Sequence, residues 1–177
     1  MEIPQMNNHL QFSVSCYSNV AALKSTRGNM AYQMVQIISG GGFASIGPYM
    51  YLLRTGDLVF LHPDTKVLWQ LRESSVVHHC EIHPQYLGER EYLTRLFRQY
   101  PQFHPSNALI VLTYQHAVAI GMVFKMMRQE LTGNHPDKKQ AILLHIQMLL
   151  LLAGRAYNYR KPCHELTRNL YRPATPQ

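Results

Sequence analysis

Between Tyr49 and Trp69 the chain sets out two short apolar runs, each closed by a tight-turn signal, and this pattern limits the fold more than any other segment. Tyr49 to Leu53 leads into Arg54-Thr55-Gly56-Asp57, where glycine supplies a positive φ and aspartate bonds its own backbone. Leu58 to Leu61 then ends at His62-Pro63-Asp64. Runs this short, cut by such turns, are strands. Similar segments surround them: Leu10 to Cys16, alternating apolar and polar; Tyr32 to Ile38; Phe43 to Ile46; Val67 to Leu71; and Ser75 to His83. Ser39-Gly40-Gly41-Gly42 reads as a turn. About seven short strands at regular spacing argue for a closed or nearly closed barrel.

Behind Pro84 the period changes from two to that of a helix. Glu89 to Tyr100 has helical spacing, Ala108 to Leu112 adds a strand, and Tyr114 to Leu131 is a helix closed by Gly133. Pro136 opens a last helix, Asp137 to Tyr157, apolar nearly all round and therefore in need of two apolar neighbours. One is the rest of the chain. The other is the same helix of a second subunit, through a seam of Ile142, His145, Leu149 and Leu152. The expected class is α+β: an N-terminal arm and barrel over 1–86, a helical dimerisation segment of the same domain over 87–160, and a Pro-containing linker or tail over 161–177.

Composition narrows the function. With 46% apolar and 15% charged residues, 177 residues suffice for one domain with a core. The net charge of +7 is scattered, which fits a solvated basic surface better than a nucleic-acid footprint. Cys16, Cys80 and Cys163 lie far apart in no metal-ligand spacing, which suits a reducing cytoplasm. The N-terminus lacks a signal-peptide pattern, and the apolar stretch Ile142 to Ala153 is interrupted by His145 and Gln147, so no membrane span is expected. Nucleotide-binding and nucleophile-elbow motifs are absent.

The strongest candidate for chemistry is Val76-Val77-His78-His79-Cys80-Glu81-Ile82-His83. Alternation sets Val77, His79 and Glu81 on one face, with His78, Cys80 and Ile82 on the other. If the first face points inward, His79 and Glu81 form a donor and acceptor suited to orienting a small polar ligand. A surface role, or a metal site with His83, competes with that reading. Gln33 and Ser39 on the Tyr32–Ile38 strand, and Tyr51 on the neighbouring one, are candidates for the same cavity; a solvent-facing row is the alternative for the first two.

Gly56-Asp57 with Pro63 resembles the G-D-x-x-x-x-x-P segment of cupin-type (jelly-roll) barrels. Followed by a Met-rich and then a Leu-rich helix, it resembles the N-terminal effector-binding and dimerisation domain of AraC/XylS-type transcription regulators. The metal-binding cupin pattern needs a His pair, a Glu and a distal His; Gly28-Asn29-Met30 and Val67 stand there instead. The resemblance thus implies a metal-free sensor with no cofactor, and adds Trp69 to His79 as a pocket residue, an ordinary core tryptophan being the other reading of Trp69. It further implies a small polar inducer such as a sugar or urea-like compound, a homodimer, the arm Met1 to Leu10 as a lid, and DNA binding only through a helix-turn-helix domain beyond this chain. The competing readings are a small cupin isomerase or dioxygenase using His79 and Glu81, and a basic nucleic-acid-binding module.

Overall fold

The computed structural model describes residues 12–17, 23, 31–83, 95, 97 and 100–167, with backbone alone for 12–17 and 159–167. Eight strands are present among them: β1 Phe12–Tyr17, β2 Tyr32–Ser39, β3 Gly41–Ile46, β4 Tyr49–Arg54, β5 Leu58–Leu61, β6 Val67–Leu71, β7 Val76–Ile82 and β8 Leu109–Ile110. Two helices follow, α1 Tyr114–Thr132 and α2 Lys138–Thr167. Of the helix expected over 89–100, Arg95 and Phe97 are helical and most of the rest lies outside the described residues, as do the arm Met1 to Leu10 and the Gly28-Asn29-Met30 stretch.

The strands do not close into the expected barrel. They form a five-stranded sheet in the order β1-β7-β2-β5-β8 and a three-stranded sheet in the order β4-β3-β6, all pairings antiparallel. Among the described residues no ladder joins the two, so they pack face to face as a sandwich. The chain crosses between sheets at Gly40, which has φ of 81° after a register shift between Ile37 and Ser39. At neighbouring Gly41, with φ of 138°, a Cβ would come within 2.3 Å of the Leu53 carbonyl oxygen. Side chains are excluded at that corner by sterics as well as by dihedral angle.

The turn at Arg54–Asp57 follows the sequence reading. Gly56 has φ of 93°, and the buried Asp57 carboxylate accepts from the Arg54 N–H at 2.8 Å. Gly56 N–H donates to the Ile37 carbonyl and Ile37 N–H to that of Asp57, so the turn extends the β2–β5 ladder.

Two cores result. Between the sheets lie Val35, Ile37, Ala44, Leu53, Val59 and Trp69; between the large sheet and the helices lie Met34, Phe60, Ile82, Phe97, Phe124 and Ile146. β8 brings the chain back to the large sheet before α1, so strands and helices share one core. Helix α1 begins at Thr113, whose hydroxyl accepts from the His116 N–H, and ends at Gly133, whose N–H donates to the Gln129 carbonyl. Lys138 Nζ then donates to the carbonyls of Leu131 and Gly133, placing a cation at the negative end of the helix.

Helix α2 departs from expectation in three ways. It continues past Tyr157 and through Pro162, where the missing N–H and the clash of the ring with the carbonyl four residues back weaken the ladder. Its Lys138–Asn158 portion is long and apolar enough to cross a membrane by length and composition, although its Ile142, Ile146 and Leu149 face is spent on the chain's own core. The proposed seam is the third correction: Ile142 and Leu149 are fully buried inside the chain, His145 and Leu152 partly so. The exposed stripe is Leu144, Met148 and Leu151. A periodicity of apolar residues all round the helix does not say which stripe faces inward.

Gly41→Ala is expected to destabilise the protein by about 1–3 kcal/mol, the range for a strained backbone site, measured by urea denaturation.

Candidate functional site

The alternation read from the sequence of β7 is present in the fold. Val77 enters the inter-sheet core, while Cys80 and Ile82 enter the core beneath the helices. Cross-strand pairing then sets Gln33 of β2 opposite Glu81 and Val35 opposite His79. Three polar side chains meet there. His79 Nε2 lies 3.1 Å from Gln33 Oε1 and 3.5 Å from Glu81 Oε1. Both neighbours are acceptors, so Nε2 carries the proton and donates. His79 is buried, whereas the Glu81 side chain keeps about a third of its surface exposed, at 35%. Burial pushes the His79 pKa down and the Glu81 carboxylate opposes it without reversing the sign, so the ring is held neutral. The arrangement offers a solvent-reaching carboxylate beside the Gln33 amide, with a positioned N–H behind them.

Of the other sequence candidates, Trp69 lies in the same inter-sheet layer but on the small sheet, opposite Ala44. Tyr51 is committed elsewhere, its hydroxyl donating to the Pro105 carbonyl. Ser39 is displaced from the Gln33 row by the register shift after Ile37. His83 is half-buried beyond the end of β7, and among the described residues no three His, Cys, Asp or Glu side chains gather as a metal site.

On the opposite face of the same strands, Gln36 and His78 are a cross-strand pair beneath α1. Gln36 Nε2 donates to the Ala117 carbonyl at 2.7 Å, and the missing side chain of Gly121 gives both polar groups room. His78 packs on Phe124 with ring centroids 5.4 Å apart. Gln36 Oε1 and His78 Nδ1 are buried with no hydrogen-bond partner among the described residues. Burial, aided by Lys125 and Arg128, lowers the His78 pKa to about 4.

A second feature escaped the sequence reading. His62, Thr65, Tyr100, Pro101, Phe103, His104 and Pro105 line a cleft of about 360 Å³. Both histidines precede proline, but so do His83 and His135, so the dipeptide alone does not single out the pair that meets in space.

No family model and no curated protein matches the sequence. The fold is similar to that of the AraC-like transcriptional activator CuxR, with a TM-score of 0.51 and 9% identity over 81% of this chain and 48% of that one. ToxT from Vibrio cholerae aligns with a TM-score of 0.43 and 13% identity over 84% of this chain and 58% of that one. The chain spans about half the length of these two proteins. At such identities the CuxR likeness is one of fold.

In the unfolded chain His78 titrates near 6.5 and in the fold near 4, so between those values the unfolded state takes up the proton first. Stability is therefore expected to fall on acidification from about pH 6.5 to about pH 4, by up to about 3 kcal/mol from this group, and to lose nothing more from it below that window. Urea midpoints of the wild type and His78→Leu across that range check it: the variant should show the shallower slope.

Proposed function

We propose that this chain is the ligand-sensing and dimerisation domain of an AraC-type transcription regulator. The observation that carries the reading is the Gln33–His79–Glu81 cluster, set between the sheets of a fold similar to CuxR's. A buried neutral His donating to one side chain beside a carboxylate one-third exposed is a poor stability device, since each polar group must be desolvated. It is a good anchor for a small polar molecule with hydroxyl or amide groups. Trp69 supplies an apolar wall in the same layer.

In this reading the inducer binds without a metal or other cofactor, in a cytoplasmic protein. It shifts the domain between two arrangements by its different affinity for each, and DNA is contacted through a helix-turn-helix domain outside this sequence. The chain is not an enzyme in this reading. Tightly bound iron, zinc or nickel in protein purified without an affinity tag, accompanied by turnover, would favour the alternative of a small cupin enzyme using His79 and Glu81.

A thermal-shift screen of sugars, urea, amides and other small polar compounds tests the sensor reading, because a ligand selective for the folded state raises its melting temperature. For a compound so identified, His79→Ala is expected to weaken binding by about 1–3 kcal/mol, the cost of leaving a buried partner unsatisfied, as measured by titration calorimetry. Unchanged affinity in both His79→Ala and Glu81→Ala would place the inducer elsewhere.

The corrected seam follows from α2. Leu144, Met148 and Leu151 recur at four- and three-residue intervals and stand about half exposed, the spacing by which two helices pack side by side. A two-fold symmetric dimer through this stripe is expected. Sedimentation of Leu144→Glu/Leu151→Glu should show a monomer where the wild type is a dimer, with the helical circular dichroism retained.

A further inference from the structure

The cleft between the turn after β5 and the segment before β8 carries two exposed imidazoles, and their tautomers differ. His62 Nδ1 lies 2.7 Å from the Pro63 carbonyl oxygen. A carbonyl only accepts, so Nδ1 carries the proton and Nε2 is left with a bare lone pair. His104 is wired the other way. Its Nδ1 accepts from the Ser106 N–H at 3.3 Å, with the Ser106 hydroxyl 2.8 Å away, so in the neutral ring the proton sits on Nε2. One imidazole thus presents an acceptor and the other a donor. Neither Nε2 is hydrogen-bonded among the described residues.

The mount is rigid. His62 packs edge-on against Tyr32, with ring centroids 5.2 Å apart, and its turn is closed by the Thr65 N–H donating to the His62 carbonyl. His104 lies between two 3-10 turns, Pro101–Phe103 and Pro105–Asn107, in the extended conformation favoured before a proline. Tyr51 holds the Pro105 carbonyl from the small sheet, and the Tyr100 hydroxyl donates to the Leu150 carbonyl of α2. Phe103, Tyr100, Pro101 and Pro105 give the cleft flat apolar walls. None of the inter-sheet residues Gln33, His79 or Glu81 lines it.

We propose that this cleft is a second binding site, specific for a small neutral aromatic carboxamide. The amide N–H of such a ligand donates to His62 Nε2, its carbonyl accepts from His104 Nε2–H, and its ring lies against the aromatic and proline walls. A carboxylate is disfavoured because it sets an acceptor against the lone pair of His62. A ketone of the same shape makes no bond to that lone pair, which stays with solvent because His62 is exposed. The volume, about 360 Å³, falls at the small end of the range for ligand pockets, which suits one ring and its amide.

The test uses the full chain, labelled with 15N and titrated near pH 7.5 with benzamide, benzoate and acetophenone. Imidazole resonances are assigned with His62→Gln and His104→Gln. The free protein should show His62 protonated at Nδ1 and His104 at Nε2. Benzamide should shift both rings saturably and bind at least about tenfold more tightly than benzoate or acetophenone, the worth of one good hydrogen bond. His104→Phe and His62→Phe should each weaken benzamide by roughly tenfold. His79→Ala should leave it unchanged, which separates this site from the inter-sheet one. Three results would overturn the proposal: no saturable shift up to the solubility of benzamide, equal binding of benzoate, or unchanged affinity in both Phe variants.

Discussion

Strand β2 is the element on which the rest depends. It is hydrogen-bonded on both edges, to β5 and β7, and buried on both faces. Its odd residues Val35 and Ile37 build the inter-sheet core, and its even residues Tyr32 and Met34 build the core under the helices. A strand in that position has no solvent face on which to leave a polar residue without cost. That it nevertheless carries Gln33 and Gln36, one toward each core, fixes where polar chemistry enters the molecule. Each glutamine faces a histidine or carboxylate of β7: Gln33 meets His79 and Glu81, and Gln36 pairs with His78.

The two polar pairs differ in consequence. In the inter-sheet group His79 bonds Gln33, and Glu81 opens it to solvent, which is the property of a site that a ligand can reach. The pair beneath α1 is closed off by Gly121 and Phe124 and holds two buried polar atoms without partners. Its histidine stays neutral because burial and the nearby cations both oppose its charge. That makes it a place where acid lowers the stability of the fold.

Tyr32 and Tyr100 tie the outer cleft to these layers. Tyr32 packs with His62, Phe97 and Phe103, and Tyr100 spans from Phe60 to the α2 carbonyl at Leu150, where Gly154 leaves space for its hydroxyl. The residue after Leu150 belongs to the exposed stripe of α2. A cleft wall and the outward face of the helix therefore rest on the same turn of backbone.

The sequence by itself determined the local structure. Turn chemistry at Gly56-Asp57, the alternation of β7, the helix stop at Gly133 and the presence of a long apolar last helix are all matters of neighbours within a few residues, where φ preference and side-chain period act directly. Only the tertiary structure decided what faces what. The open sandwich in place of a barrel depends on which strand edges pair across long separations, and the stripe of α2 left outside depends on how the helix is rotated against α1 and the sheet. The meeting of His62 with His104 depends on a turn and a pair of 3-10 segments brought to one edge of the large sheet. None of these is written in a local window, because burial is a free energy of the assembled layers, and the same apolar residue serves equally well in a core or a seam until its neighbours are fixed.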